Sequence, residues 1–358
     1  MKARLNISLT LAAACLCGLS SCVSIVSGDG TGDTAISFAT PSADTKAAVE
    51  DNLPDNSEFL VWGGYGDDAN SVNATNVFNG DTVIGLGGTW NYTGGTRYWV
   101  AGKTYDFYAV YPAGIFSGQS GTSTDTPSVS CSSDGTVTIN NFDASAIGAD
   151  AVDLMTASVS RTTSDPIGSD ETNAVPFQFS HALTRITFSA KLDAGLAGYT
   201  LQVQEINLRA GNVGKMVRDD ESVLQWTIEP YLNDDGSVNP QYKYCLYWLT
   251  SQDGQLVQSD ISTDPIKLNV QTSGDLLVIP QKMQETQPEI KIKYTLSYNG
   301  ATTNPIEKSF SLKNNGTDWT PGANLNYTFT INEDNAYFSI DVGDWVDGNS
   351  GNEDISFE

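Results

Sequence analysis

Residues 289–298 read EIKIKYTLSY. Ile290, Ile292, Tyr294, Leu296 and Tyr298 fall on one side of an extended chain, and Lys291, Lys293, Thr295 and Ser297 on the other. Successive side chains of a strand point to opposite faces, so this alternation describes a strand with one face in a core and one in water. The same period recurs. KTYDFYAVY at 103–111 aligns Tyr105, Phe107, Ala109 and Tyr111. Residues 327–342 give Tyr327, Phe329 and Ile331, then a polar NEDN turn, then Phe338, Ile340 and Val342. No long window carries a helical period, and the best helical candidate, SADTKAAVED at 42–51, is short and weakly amphipathic. Gly, Ser, Thr, Asn and Asp fill the connections, and the glycine pairs Gly63-Gly64 and Gly87-Gly88 read as turns. The pattern predicts an all-β protein of antiparallel sandwiches. A polar run, SRTTSDPIGSDETNAV at 160–175, separates two strand-rich halves. Two tandem domains are expected, 34–165 and 166–358.

The N-terminus reads differently. Lys2 and Arg4 precede an apolar run from Leu5 to Leu19, which is too short to span a bilayer and has the layout of a secretory signal. Leu19-Ser20-Ser21-Cys22 resembles a bacterial lipobox, so residues 1–21 are expected to be removed and Cys22 acylated. Val23 follows where an aspartate would argue for inner-membrane retention, which favours the outer membrane. Residues 23–33, VSIVSGDGTGD, then read with Cys22 as a tether over 22–33.

Composition excludes several functions. The formal charge is −25, from 43 acidic and 18 basic residues, and loss of Lys2 and Arg4 makes it two units more negative. Nucleic acid and anionic headgroups are poor partners for such a surface. Beyond Cys22 only Cys131 and Cys245 remain in the mature chain, and they read as buried free thiols. No GxSxG elbow, paired-histidine motif or CxxC pair is present, so no catalytic triad, metal site or cofactor is implied. Asn233-Asp234-Asp235-Gly236 fits a turn better than a calcium loop, because the other ligand positions are missing. TWNYTGGTRYW at 89–99 could stack on sugar rings through Trp90, Tyr92, Tyr98 or Trp99, or could be ordinary core.

Taken in order, the motifs resemble the fimbrillin, or type V pilin, lipoproteins in the Mfa-like branch. The matching features are the lipobox at Cys22, ISFAT at 36–40, WNYTGGTRYWVAGKTYDFYAVYP at 90–112 and ADAVDLMTAS at 149–158. VPFQFSHALTRITFSAKL at 175–192, LLVIPQ at 276–281, DWTPGANLNYTFTI at 318–331 and IDVGDW at 340–345 complete the set. The resemblance implies two transthyretin-like β-sandwich domains and a non-enzymatic subunit of surface fimbriae: shaft, tip or anchor. Its implied partners are other fimbrial subunits, with a host protein or glycan as a further possible target. It also implies that a surface protease removes an N-terminal strand, here about 34–40 with Ile36 and Phe38 facing the groove, and that another subunit's strand replaces it. This chain departs from the family at the cut, since no arginine lies between Arg4 and Arg97. Lys46-Ala47 stands where the family often has arginine followed by alanine, and lysine is not equivalent to a protease that reads a guanidinium. The strand donor is open between YFSIDVGDW at 337–345 and the patch of Ile355 and Phe357. A surface glycan-binding lipoprotein is the alternative reading.

The single histidine, His181, sits in PFQFSHALTRITF at 176–188. Phe177, Phe179, His181 and Leu183 share a face, after which the apolar phase flips to Ile186, Phe188, Ala190 and Leu192. A flip within one run implies a bulge or a passage between sheets. His181 is therefore expected to be structural, with a ring nitrogen satisfying an unpaired backbone group. At the N-terminus, Cys22→Ser is expected to abolish incorporation of labelled palmitate and to move the protein from the detergent phase to the aqueous phase. Unchanged labelling would contradict the lipobox.

Overall fold

The computed structural model describes residues 34–43, 52–116, 126–219, 223–232, 238–242, 244–249, 264–268, 276–313, 317–332, 336–344 and 355–356. The signal, the tether, Cys22, Lys46, Ala47 and residues 233–236 lie outside them. In chain order the strands begin β1 (Ser42–Ala43), β2 (Glu58–Gly66), β3 (Phe78–Leu86), β4 (Thr89–Tyr92), β5 (Thr104–Tyr111) and β6 (Ser128–Cys131). They continue with β7 (Val137–Asp143), β8 (Met155–Thr162), β9 (Gln178–His181), β10 (Thr184–Leu192), β11 (Thr200–Gly211) and β12 (Val213–Arg218). Next come β13 (Leu224–Ile228), β14 (Pro230–Leu232), β15 (Val238–Tyr242), β16 (Tyr244–Leu249), β17 (Ile266–Lys267) and β18 (Leu276–Val278). The last are β19 (Glu289–Tyr298), β20 (Ala301–Thr302), β21 (Ile306–Ser311), β22 (Ala323–Ile331), β23 (Ala336–Asp344) and β24 (Ile355–Ser356). The chain is all-β, as the alternation predicts.

EIKIKYTLSY forms β19, with Ile290, Ile292, Tyr294 and Leu296 buried as their spacing requires. It lies in a five-stranded sheet, order β16-β11-β19-β20 with β21 also on β19. A six-stranded sheet, order β17-β10-β22-β23-β24 with β18 on β10, supplies the other half of this sandwich. Phe188 and Ala190 of β10, Tyr327 and Phe329 of β22 and Leu201 and Ile206 of β11 fill one core with β19. Most pairings are antiparallel, but β10 and β22 run parallel over eight paired residues, from Arg185↔Asn324 to Leu192↔Ile331.

The preceding part of the chain forms a seven-stranded sheet, order β1-β9-β8-β5-β2-β3-β4. Its inner face carries Phe59, Phe78, Trp90, Phe107 and Phe179. Its outer face does not meet water, because a four-stranded sheet, order β13-β12-β7-β6, packs over Trp62, Tyr108 and Val110. Two strands of that cover come from before residue 166 and two from after it. This explains why β5 departs from simple alternation: Tyr105, Phe107 and Ala109 are buried on one side, and Tyr108 and Val110 on the other. The remaining pair, β14 and β15, forms a two-stranded sheet.

Two local expectations are corrected. Ser42 and Ala43 are strand rather than the start of a helix, because they pair in parallel with Gln178 and Phe179. Gly63 and Gly64 lie inside β2 rather than in a turn. A Cβ on Gly63 would sit 2.4 Å from the Phe107 ring, and one on Gly64 would sit 1.8 Å from the Asn73 carbonyl oxygen. These glycines exist for close approach. Gly87 and Gly88 do form the turn between β3 and β4, with φ of 60° and 78°. The phase flip after His181 is a passage between sheets: β9 belongs to the seven-stranded sheet and β10 to the six-stranded one. Gly64→Ala forces the backbone at Asn73 to move, an overpacking cost of roughly 1–3 kcal/mol. A fall in Tm of roughly 1–4 °C is expected on thermal unfolding of the full chain; an unchanged Tm would contradict the close approach.

Candidate functional site

The edges of an open sheet leave backbone N–H and C=O groups unpaired, and a curled sheet can bring its two edges near one another. Here β4 and the chain leading into β9 lie one strand apart, and residues 34–43, which end in β1, occupy the space. Phe38 bridges Trp90 of β4 in antiparallel sense and Val175, just before β9, in parallel sense. On the first side the Ile36 N–H donates to the Arg97 carbonyl at 2.8 Å, and the Trp99 N–H donates to the Thr34 carbonyl at 3.1 Å. On the second, the Val175 N–H donates to the Ser37 carbonyl at 2.8 Å, and the Ala39 N–H donates to the Val175 carbonyl at 2.9 Å. Farther along, the Ser42 N–H donates to the Phe177 carbonyl at 3.1 Å.

Alternation then decides which side chains enter. Ile36 and Phe38 point inward and are 1 % and 5 % exposed, whereas Ser37 is exposed. The Phe38 ring meets the rings of Phe59, Phe78, Tyr92 and Phe107 edge-on at 5.5–6.3 Å and stacks on Phe177 at 5.6 Å. Burying each of these two side chains contributes roughly 1.5–3 kcal/mol, and aromatic pairs add to that. The sequence expectation that Ile36 and Phe38 share the inward face agrees with this geometry.

Tyr92 and Arg97 shape the wall, and sequence reasoning passed over both roles. The Tyr92 hydroxyl donates to the Ile36 carbonyl at 3.0 Å and accepts from the Arg97 N–H at 3.1 Å. The Arg97 guanidinium donates to the carbonyls of Val77, Thr93 and Gly95 at 2.9–3.2 Å and pairs with Asp81 at 2.7 Å. It also lies over the Phe78 ring at 4.6 Å and the Tyr92 ring at 5.3 Å. So many partners fix the 93–97 turn and aim the Arg97 carbonyl at Ile36. A lone arginine inside an aromatic, glycine-rich run was the available signal. Its side chain is 17 % exposed, so Arg97 offers little to a protease either.

The other singled-out residues take structural places. Trp90 and Trp99 are buried and Tyr92 is half-buried, which leaves Tyr98 alone exposed among the aromatics of 89–99. The His181 Nδ1 lies 2.9 Å from Asp153 Oδ1, with the histidine side chain 9 % exposed. The Asp153 carboxylate comes alongside because β9 pairs with β8 at Met155↔His181. Cys131 is a free thiol, half-buried, and burial with the nearby Asp134 charge pushes it up to about 12. Glu171 organises the 164–171 loop by accepting from the Ser164 and Gly168 N–H groups, and these bonds hold its carboxyl below the usual range.

Phe38→Ala opens a void among five rings, so a loss of about 3–5 kcal/mol is expected in denaturant unfolding of the full chain. A loss below about 1 kcal/mol would mean that Phe38 does not fill the core in solution.

No curated protein matches this sequence. Among solved structures, a fimbrial protein from Bacteroides vulgatus is similar at 19 % identity and a TM-score of 0.58, covering 87 % of this chain and 99 % of its own. A candidate cell adhesion protein from Bacteroides uniformis is 17 % identical with a TM-score of 0.46, covering 88 % of this chain and 100 % of its own. The first likeness supports the fold. The family model described as Fimbrillin-like matches residues 45–345, which leaves the gap-filling segment just outside the match. With that match over most of its length, the chain belongs to the fimbrillin-like family.

Proposed function

We propose that this protein is a non-enzymatic structural or adhesive subunit of surface fimbriae, held first by lipid at Cys22 in the outer membrane and assembled by strand addition. The observation that carries the reading is the double pairing of residues 34–43, hydrogen-bonded to one sheet edge on each side. A segment so placed is a complete strand of the sheet, yet it joins β2 only through residues 44–57. Cutting that connection leaves the strand held by non-covalent bonds alone. Its departure would orphan the Arg97 and Val175 carbonyls and the Val175 and Trp99 N–H groups, each costing about 1–3 kcal/mol where water does not reach. It would also bare the Phe38 pocket. A vacated gap is thus a site for another extended strand, with main-chain bonds supplying affinity and the two inward side chains supplying register. We also propose two sandwich units, with the division at the passage from β9 to β10 that follows the polar run.

Lys46-Ala47 is the proposed cut, in a chain that lacks arginine from 5 to 96. If no cut occurs, the strand stays and the protein serves as a lipid-anchored base or accessory subunit. Treatment of the full chain with a lysine-specific protease is expected to give a new N-terminus at Ala47 and a ladder of SDS-resistant oligomers. An arginine-specific protease is expected to give neither. Cutting after Lys46 that yields only monomers would defeat the polymerising reading.

A further inference from the structure

Among the described residues, Arg218 is the only charged one that is fully buried, with 6 % of its surface exposed. It ends β12 of the four-stranded cover and reaches onto the seven-stranded sheet beneath. Its Nη2 donates to Ser158 Oγ of β8 at 2.7 Å, and its Cζ lies 6.0 Å from the centre of the Tyr108 ring of β5. Its Nη1 is buried and has no hydrogen-bond partner. Other arginines differ: Arg97 has Asp81, and the half-buried Arg161 donates to the carbonyls of Glu171 and Asn173. Trp99 Nε1, Asn207 Oδ1 and Asn324 Oδ1 are also buried without partners. Those are neutral groups, which a water satisfies, whereas a guanidinium taken out of water needs a counter-charge.

No side chain of the described residues supplies that charge. Register places Arg218, Val137 and Cys131 in one row across β12, β7 and β6. A Cys131 thiolate would serve, but burial and the Asp134 charge push this thiol up to about 12, so it is neutral at physiological pH. Asp219 and Asp134 lie in the turns at the same end of the cover, and both are committed there. Asp219 Oδ1 accepts from the Val223 N–H at 2.7 Å, and Asp134 Oδ1 accepts from the Ser132 hydroxyl and the Thr136 N–H at 2.5–3.0 Å. Arg218 forms no ion pair with either. We propose that Arg218 Nη1 binds a small, singly charged anion of the chloride or formate class, held between the cover and the seven-stranded sheet.

The surroundings select that class. Ser158 takes the other arm of the guanidinium fork, so the two-armed grip that favours phosphate and sulfate is not open. Asp134 and Asp219 repel a second negative charge, in a chain whose formal charge is already −25. Gly135 sets the size limit: a Cβ there would sit 2.2 Å from the Tyr108 hydroxyl, so the 132–136 turn closes directly over the ring. One buried cation with one open donor thus suits one small negative charge. The anion would tie β12, which follows residue 166, to β8, which precedes it. Such a site exists only in the folded chain, so its occupant stabilises the fold. This inference is independent of strand addition.

The test uses the full chain dialysed into gluconate buffer, with chloride or formate then exchanged for gluconate at constant ionic strength. Tm is expected to rise and saturate, by about 2 °C at ten times the Kd, and sulfate is expected to give no saturable rise. Arg218→Met keeps the apolar stem without the charge, and it is expected to fold and to lose the chloride dependence. Independently, the native chain should broaden the NMR line of chloride, and formate should sharpen it again. Crystals soaked in bromide should show an anomalous peak beside Arg218 Nη1. A Tm that ignores chloride and formate, or an equal dependence in Arg218→Met, overturns the proposal and leaves Nη1 to water. A bromide peak without chloride dependence in solution is binding at crystal concentration only, and it overturns the proposal too. Should Arg218→Met fail to fold, the native chain decides: a chloride line that formate does not sharpen overturns the proposal.

Discussion

Two rows of backbone hydrogen-bonding groups face each other across a gap one strand wide, and the first half of the molecule depends on that gap being filled. An unfilled edge exposes N–H and C=O groups in a place where the surrounding rings exclude water. Residues 34–43 satisfy both rows at once, and Phe38 closes the aromatic core between them. The magnitudes make this more than one strand among many. Two buried side chains and several backbone bonds together match the whole net stability of a typical domain, about 5–15 kcal/mol. The occupied state is stable, and under the proposed strand addition the vacated state is the one that takes up another strand of the same pattern.

The rest of the structure holds the gap in shape. The four-stranded cover buries the outer face of the curled sheet through Trp62, Tyr108 and Val110, so the sheet cannot flatten when its edge strand leaves without exposing a second core. On the wall of the gap, Arg97 ties together Val77, Thr93, Gly95 and Asp81, which keeps its own carbonyl in the position Ile36 uses. Under the proposed strand addition, a gap fixed in this way would lose little conformational entropy on accepting a strand. Membership of the fimbrillin-like family is consistent with a protein whose work is to be joined to others.

The parts of the fold legible in the sequence are those set by residues near one another. EIKIKYTLSY declares β19 because one of its faces meets solvent, and ISFAT declares the inward pair Ile36 and Phe38 by the same rule. The phase flip after His181 is legible because the chain changes sheets there, and a change of sheet exchanges the faces. What stayed hidden depends on residues far apart in the chain. The burial of Tyr108 and Val110 follows from a cover built partly from β12 and β13, more than 100 residues away, and the parallel pairing of β10 with β22 joins Arg185 to Asn324. Gly63 and Gly64 resembled a turn because glycine serves both loops and close approaches, and only the Phe107 ring and the Asn73 carbonyl distinguish the two. The Tyr92 hydroxyl and the Asp153 partner of His181 have no signature at all in local spacing.

Amide hydrogen exchange reads directly whether residues 34–43 satisfy both edges. In the intact chain the Val175 and Trp99 N–H groups donate to the Ser37 and Thr34 carbonyls, so both are expected to be protected. After the connection is cut and the segment washed away, both should exchange rapidly and together, and both should regain protection in the assembled oligomer. Persistent protection of Val175 and Trp99 in a chain shown to lack the segment would contradict the account.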